Sequence, residues 1–191
     1  MYNIYIRYYS NTMLYILLPG YSPKNLAEME EICESLERIG YKVHSHRWRH
    51  WKDPEVEWDE EEELSRIIDE IKEYNESSFG LIGKSVGTGV SLELFKSLRD
   101  KVKILILMGI PCGNFSDNKM EEFRFALQKI SAPKFVIQNQ NDPLGSSTSI
   151  RELLKDTDTK LTLKESDDHR YNYPEDILAI IKTSIDSRSL D

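Results

Sequence analysis

This 191-residue chain has few cysteines, no long apolar run and no excess of basic residues, and each of these absences excludes a class of function. It has two cysteines, Cys33 and Cys112, too few for a disulfide framework, which predicts a reducing cytoplasmic location. No apolar run approaches the roughly 20 residues of a membrane-spanning helix, and the N-terminus lacks the long apolar stretch of a signal peptide. The formal net charge of −8 argues against nucleic acid or an anionic membrane as partner. No low-complexity linker or internal repeat divides the chain, so we expect one soluble domain over residues 1–191.

Apolar runs alternate with helical patterns along the rest of the chain. Strands are predicted at Tyr2–Tyr9, Met13–Leu18, Tyr41–His46, Phe79–Ile82, Val102–Met108, Phe135–Gln138 and Leu161–Leu163, the first two joined as a hairpin at Ser10-Asn11. Helices are predicted from Pro23 to Gly40, then at Leu64–Tyr74, from Val86 to Leu98, and at Met120–Ile130, Ser147–Leu154 and Pro174–Ile185. The acidic run Asp53–Glu63 predicts a solvated loop and helix start. Repeated β-then-α units imply a doubly wound, mainly parallel sheet of about six or seven strands with helices on both faces.

The most informative motif is G-x-S-x-G, formed by Gly83-Lys84-Ser85-Val86-Gly87 between a predicted strand and a predicted helix. A nucleophilic serine needs a sharp turn that projects its hydroxyl toward a base. Glycines two positions before and after the serine relieve crowding at such a turn. The first N–H groups of the following helix then point toward the serine, where they can hold an oxyanion.

The same residues come close to a phosphate-binding P-loop, G-x-x-x-x-G-K-[ST]. Gly83-Lys84-Ser85 fits its end, but Ser78 occupies the position of the first glycine. The residues before Ser78 form a polar helical stretch, whereas a P-loop follows a strand. The context therefore disfavours nucleotide binding.

If Ser85 is a nucleophile, it needs a base and an acid that orients the base, in the chain order Ser, Asp or Glu, His. His169 is the only histidine after Ser85. Asp142 follows a predicted strand in Asn141-Asp142-Pro143, although Asn-Asp-Pro is also a common turn sequence. The other acidic residues considered have weaker positions: they lie between elements or next to the histidine (Asp156, Asp158, Asp167 and Asp168).

These motifs resemble a small α/β-hydrolase without a large lid, from Met13 to Ile185. The resemblance is carried by Leu17-Leu18-Pro19-Gly20-Tyr21, the Gly83–Gly87 elbow, the Asp142 turn and Asp168-His169. It implies Ser85 as nucleophile, His169 as base and Asp142 as its orienting acid. It also implies the backbone N–H groups of Tyr21 and Val86 as oxyanion donors, but it specifies no substrate, and we expect no cofactor.

Other residues are candidates for shaping a pocket. Trp48 and Trp51 are expected to cover one rim, and Cys112 leaves the end of a strand. Lys84 either packs with its stem buried or touches an acidic substrate. His44, His46 and His50 suggest zinc, but no Cys or carboxylate stands at a convincing ligand spacing, so we expect no metal.

Two functions from different classes remain. One is a serine hydrolase of the carboxylesterase type, cleaving a small ester, thioester or related acyl compound through an acyl-enzyme. The other is a hydrolase-fold binding or regulatory protein with little or no activity. Three triad members in the expected order favour the enzyme. The acyl group, the leaving group and the oligomeric state do not follow from the sequence.

Overall fold

The structure, a computed structural model, describes residues 13–186 of the chain. Six strands form a single sheet: β1 (Met13–Leu18), β2 (Lys42–Ser45), β3 (Ser78–Lys84), β4 (Val102–Met108), β5 (Lys134–Asn139) and β6 (Lys160–Lys164). Six α-helices flank it: α1 (Leu26–Glu37), α2 (Glu60–Lys72), α3 (Val86–Leu98), α4 (Asp117–Lys129), α5 (Ser147–Leu153) and α6 (Pro174–Asp186). The predicted strand Tyr2–Tyr9 and its hairpin turn lie outside the described residues.

The strand order is β2-β1-β3-β4-β5-β6, and every neighbouring pair is parallel. The continuously apolar run VKILILM forms β4, which lies between β3 and β5 and is almost fully buried. A strand with apolar residues on both faces needs cover on both faces. The predicted doubly wound parallel sheet is thereby confirmed, with six strands among the described residues.

The core has two layers, one on each face of the sheet. Alternate residues of β1 enter different layers: Leu14 and Ile16 pack with side chains of α2, α3, α4 and α5, whereas Tyr15 and Leu17 pack with those of α1 and α6. Because side chains alternate across a strand, β1, β3, β4 and β5 each contribute buried residues to both layers. This packing fixes the register of the strands and hence the level at which each one ends.

The order in which strands are added to the sheet reverses between β1 and β3, because β2 lies on one side of β1 and β3 lies on the other. In parallel sheets of this type, ligands bind outside the carboxyl ends of the strands at such a switch point. The loop after β1 and the turn after β3 meet there. Between β4 and β5 the chain forms only a short 3₁₀ turn and α4, so the expectation of no large lid is confirmed.

The acidic run before α2 is only partly solvated. Asp59 caps α2, accepting a hydrogen bond from the Glu62 N–H at 3.0 Å, and the helix begins at Glu60. Glu63 is 2% exposed, so its predicted place on a solvated surface is wrong. None of the helices in residues 13–186 has both the length and the apolar character needed to span a bilayer.

Candidate active site

Ser85 occupies the turn between β3 and α3, as the motif predicts. Its backbone lies in the left-handed region with φ 53° and ψ −118°, which a non-glycine residue rarely adopts. The turn is held by two contacts: the Ser85 N–H donates to the Met108 carbonyl at 2.9 Å, and the Ser85 carbonyl accepts from the Thr88 N–H at 2.9 Å. Strain of about 1–3 kcal/mol at one residue persists only where surrounding contacts impose it. This is the geometry expected of a nucleophile elbow.

The two glycines of the motif are required by close approach. A Cβ on Gly83 would lie 2.5 Å from the Gly87 carbonyl oxygen, and one on Gly87 would lie 2.0 Å from the carbonyl oxygen of Leu18. Either contact is far shorter than van der Waals distance. The first turn of α3 therefore packs directly against the end of β1, and Val86 begins α3, where helical N–H groups have no intrahelical acceptor.

Asp142 and His169 are in direct contact. The ring Nδ1 of His169 lies 2.7 Å from Asp142 Oδ2, and the Asp142 side chain is buried whereas that of His169 is 22% exposed. The other oxygen, Oδ1, accepts from the Leu144 N–H at 2.8 Å. A carboxylate at Nδ1 selects the tautomer whose Nε2 can act as a base.

Two buried residues that the sequence did not single out for this role support that pair. Tyr171 is fully buried, donates its hydroxyl to Asp142 Oδ2 and accepts from the Asn139 N–H at 3.0 Å. The Asn139 side-chain amide donates to the carbonyls of Asp168 and Arg170 at 3.0 and 2.9 Å. It thus holds the chain on either side of His169. Neither residue belongs to a recognisable sequence motif, so no pattern in the sequence predicted this role.

Burial alone would raise the pKa of the Asp142 carboxyl. Hydrogen bonds from His169, Tyr171 and the Leu144 N–H outweigh burial and hold that pKa below its usual range. Burial, then the bond to Asp142, raise the pKa of the Tyr171 hydroxyl, so it stays protonated and donates. The aspartate is therefore ionised and can stabilise a positive charge on His169.

Two tryptophan rings and one histidine ring hold the loop after β1 through their ring nitrogens. Trp48 Nε1 donates to the Gly20 carbonyl at 3.1 Å, while His50 Nε2 and Trp51 Nε1 both lie 2.7 Å from the Tyr21 carbonyl. A trans peptide is planar, so its N–H points away from its carbonyl. By fixing the Gly20 carbonyl, Trp48 fixes the direction of the Tyr21 N–H, the expected oxyanion donor.

His169 Nε2 has no hydrogen-bond partner among the described residues, although the atom is buried. No bond to Ser85 is therefore formed in this arrangement. Catalytic hydrogen bonds are often long in free enzymes and tighten when substrate binds. The structure brings Asp142 and His169 together and places Ser85 at the carboxyl end of β3, without a Ser–His bond.

Comparison with known proteins settles the family. A profile of the alpha/beta hydrolase domain matches residues 23–183. The chain belongs to the alpha/beta hydrolase family. A search of curated protein sequences gives no significant match.

Solved structures share the fold of this hydrolase at low sequence identity. An esterase from Exiguobacterium antarcticum is 16% identical, with a TM-score of 0.73 over 89% of this chain and 92% of that one. A structure described for LipS and LipT, two metagenome-derived lipolytic enzymes, is 12% identical, with a TM-score of 0.73 over 91% and 94%. A predicted CIB-like hydrolase from Thermoplasma acidophilum is 18% identical, with a TM-score of 0.67 over 94% and 88%. At these identities the likeness concerns the fold.

For two of the expected pocket residues of the hydrolase, burial contradicts the predicted role. Lys84 is 1% exposed, and its amino group binds Asn25 and Glu28, so it joins β3 to α1 and is not available to a substrate. Trp48 is fully buried beneath the loop after β1 and forms no rim, whereas Trp51 is half-buried beside Tyr21. The packed alternative considered for Lys84 is the observed one.

Cys112 lies in the 3₁₀ turn after β4 and is buried. Burial, and the nearby charge of Asp142, raise the pKa of its thiol to about 11, although a backbone hydrogen bond acts in the opposite direction. A thiol with that pKa stays protonated near neutral pH and is a poor nucleophile. Cys112 is therefore a packing residue at the end of β4 and no rival to Ser85.

Two further features lie away from the triad residues. A groove of about 720 Å³ runs between α3 and α4, and none of its lining residues belongs to the expected triad. At the edge strand β2, His44 and His46 meet Glu70 of α2. Burial alone would raise the pKa of Glu70, but hydrogen bonds from both histidines hold it far below its usual range. The sequence grouped His50 with these histidines, whereas its ring stacks on Tyr21 with centroids 4.2 Å apart.

Proposed function

We propose that this alpha/beta hydrolase is a serine hydrolase of the carboxylesterase type, acting on a small ester, thioester or related acyl compound. The observation that carries the proposal is the 2.7 Å contact between His169 Nδ1 and Asp142 Oδ2, at the same sheet edge as the strained Ser85 turn. A protein without catalytic activity would gain nothing from a buried, ionised aspartate that contacts a histidine whose other ring nitrogen has no partner. The esterase and lipolytic enzymes among its structural neighbours support the same class.

In the proposed reaction, Ser85 Oγ attacks the acyl carbon while His169 Nε2 takes the hydroxyl proton. Asp142 stabilises the imidazolium that forms. The N–H groups of Tyr21 and Val86 bind the oxyanion of the tetrahedral intermediate. Each donor lowers the activation barrier by about 3–4 kcal/mol. The intermediate collapses, the acyl–oxygen or acyl–sulfur bond breaks, and the leaving group takes the proton from His169. Water then repeats the sequence on the acyl-enzyme and releases the acid.

A second candidate function is a binding or regulatory protein built on this fold. The specific observation in its favour is that His169 Nε2 has no partner among residues 13–186, so Ser85 is not visibly activated. Against it stands Asp142, which is directed at His169 and held there by four donors: His169, Tyr171, Gln138 and the Leu144 N–H. A binder has no need of that arrangement.

Labelling with a fluorophosphonate tests the two functions directly. We expect the probe to modify Ser85 in the folded protein, to miss Ser85→Ala entirely and to label His169→Ala far more slowly. Ser131→Ala, which removes an exposed serine at the opposite edge of the sheet, serves as the matched control and should label normally. Circular dichroism establishes that each variant is folded. Failure of the folded wild-type protein to react would contradict the hydrolase and favour the binding protein.

A further inference from the structure

The edge strand β2 and helix α2 bring four titratable side chains together, which we call the histidine–glutamate cluster: His44, His46, Glu63 and Glu70. His44 and His46 alternate along the chain and so face the same side of the sheet, where α2 covers them. Glu70 Oε2 lies 2.9 Å from His44 Nε2 and 2.7 Å from His46 Nδ1. One ligand atom of each of these three residues lies within 4.8 Å of the others.

His46 has carboxylates on both sides of its ring. Its Nδ1 faces Glu70, and its Nε2 lies 3.0 Å from Glu63 Oε2, with both His46 and Glu63 buried. A neutral imidazole has one N–H and one lone pair. In this position its lone pair would be directed at a carboxylate oxygen, which is repulsive. A cation between Nδ1 and Glu70 removes that repulsion, while Nε2–H donates to Glu63.

The outer contacts of the cluster match those of a metal site. Metal-binding histidines commonly donate their second ring nitrogen to a carboxylate or another acceptor, which orients the ring. Glu63 plays this part for His46, and the Tyr74 hydroxyl, 3.3 Å from His44 Nδ1, plays it for His44. Glu63 is fixed in turn by the Arg49 N–H at 3.0 Å and by Arg66 at 2.8 Å.

The donor set selects the class of cation. Two imidazole nitrogens and one carboxylate oxygen suit zinc and its neighbours among divalent transition metals, whereas Ca²⁺ and Mg²⁺ prefer oxygen ligands alone. Ligands on tetrahedral zinc lie about 3.3 Å apart, from metal–ligand distances of about 2.0 Å. The observed separations of 2.7 and 2.9 Å need to open by about half an ångström. The Glu70 side chain is 32% exposed, which leaves a fourth position open to water.

From this geometry we propose that His44 Nε2, His46 Nδ1 and Glu70 Oε2 form a binding site for one divalent transition-metal cation of the zinc class, with Glu63 orienting His46. The site is distinct from the proposed triad and does not depend on hydrolase activity. It reaches the active-site loop through packing, because the His46 ring lies 4.6 Å from the ring of Trp48, which bonds the Gly20 carbonyl. Its role is therefore to brace the edge of the sheet beneath that loop.

Cobalt binding to untagged, chelator-treated protein tests the proposal. We expect one equivalent of Co²⁺ per chain with the visible absorption of a low-coordinate site, and its displacement by one equivalent of Zn²⁺. His44→Ala and Glu70→Gln should each bind at least 100-fold more weakly, and Glu63→Gln about 10- to 100-fold more weakly. His50→Ala removes a histidine outside the cluster and should bind as the wild type does.

Two results would overturn the assignment. If folded wild-type protein binds no Co²⁺ or Zn²⁺ at 100 μM metal, the cluster is not a metal site. If His44→Ala and Glu70→Gln bind as tightly as wild type, the metal is held elsewhere. Should these variants fail to fold, NMR of the Co²⁺-loaded wild type decides: paramagnetic shifts at the His44 and His46 rings, and not at His169, support the site, and their absence refutes it. Ser85 labelling is measured separately, so failure of one proposal leaves the other standing.

Discussion

The substitution Tyr171→Phe removes one hydroxyl and leaves the ring in place, so its effect should come from two hydrogen bonds. The hydroxyl donates to Asp142 Oδ2 and accepts from the Asn139 N–H at 3.0 Å, in a site with no solvent access. Phenylalanine fills the same volume, so no cavity forms. What remains is an aspartate with one donor fewer and a buried backbone N–H without an acceptor.

Those two losses set the size of the effect. A hydrogen bond to a charged group contributes about 1.5–3 kcal/mol, and a buried donor left unpaired costs about 1–3 kcal/mol. We expect Tyr171→Phe to lower the free energy of unfolding by about 3 kcal/mol. Tyr173→Phe is the matched control, because its hydroxyl donates to the neutral Asn139 Oδ1 at 2.7 Å and does not touch Asp142. Its cost should be about 1 kcal/mol.

Urea unfolding between pH 7 and pH 3 separates the charged contribution from the neutral one. The pKa of Asp142 in the folded protein lies below its usual value of about 3.9, so this carboxylate stabilises the fold above that pH. The stabilisation is lost as pH falls below about 4 and through the lower, folded pKa. Because Tyr171→Phe removes part of the pKa lowering, the gap between wild type and variant should stay constant from pH 7 to about 5 and narrow below about 4. Equal losses for both tyrosine variants, or a gap independent of pH, would refute the reasoning.

Three further predictions concern the fold around the proposed site. Trp48→Phe removes the donor that orients the proposed oxyanion N–H, so kcat for ester hydrolysis should fall about 10-fold with little change in KM, while Trp58→Phe, which lacks that bond, should leave kcat near wild type. Gly87→Ala places a methyl group against the end of β1 and should destabilise the protein by at least about 3 kcal/mol. At Gly89 an added methyl group meets nothing within 4 Å, so Gly89→Ala should stabilise α3 by about 0.5–1 kcal/mol; thermal unfolding measures both effects. Lys84→Met leaves Glu28 without its ion-pair partner and should lower the free energy of unfolding in urea by about 2–3 kcal/mol. KM should change equally for neutral and acidic esters; a rise in KM for acidic esters alone would show that Lys84 contacts the substrate.

Much of the fold followed from local patterns. Continuous apolar residues predicted Val102–Met108 as a central strand, and its observed bounds are the same. The G-x-S-x-G motif predicted the turn because its glycines are demanded by atoms nearby in sequence or in the adjoining strand. Asp142 and His169 followed from chain order and strand ends, and the structure brings them within 2.7 Å.

The contacts that position these groups did not follow from the sequence. Tyr171 and Asn139 meet 32 positions apart, and Glu70 meets His46 across 24 positions, so each contact depends on how an element is rotated when it packs. Helical periodicity gives the apolar face of α2 but not which of its many glutamates turns inward. That rotation is why the carboxylate missing from the sequence-based zinc argument became visible only in the folded chain.

The supporting contacts explain how a chain without a large lid can hold catalytic groups in place. One side of the proposed site, the loop after β1, is fixed by rings from the segment after β2, and the other side, the loop carrying His169, is fixed by Asn139 and Tyr171. Neither set of residues touches the reacting atoms, yet a catalytic geometry must be held within about 0.5 Å to be productive. The segment that supplies Trp48 begins at β2, the strand that carries His44, and Trp48 packs against His46. The position of β2 therefore affects the direction of the Tyr21 N–H through Trp48. A cation bound to His44 and His46 would hold β2 in place and, through Trp48, this proposed oxyanion donor.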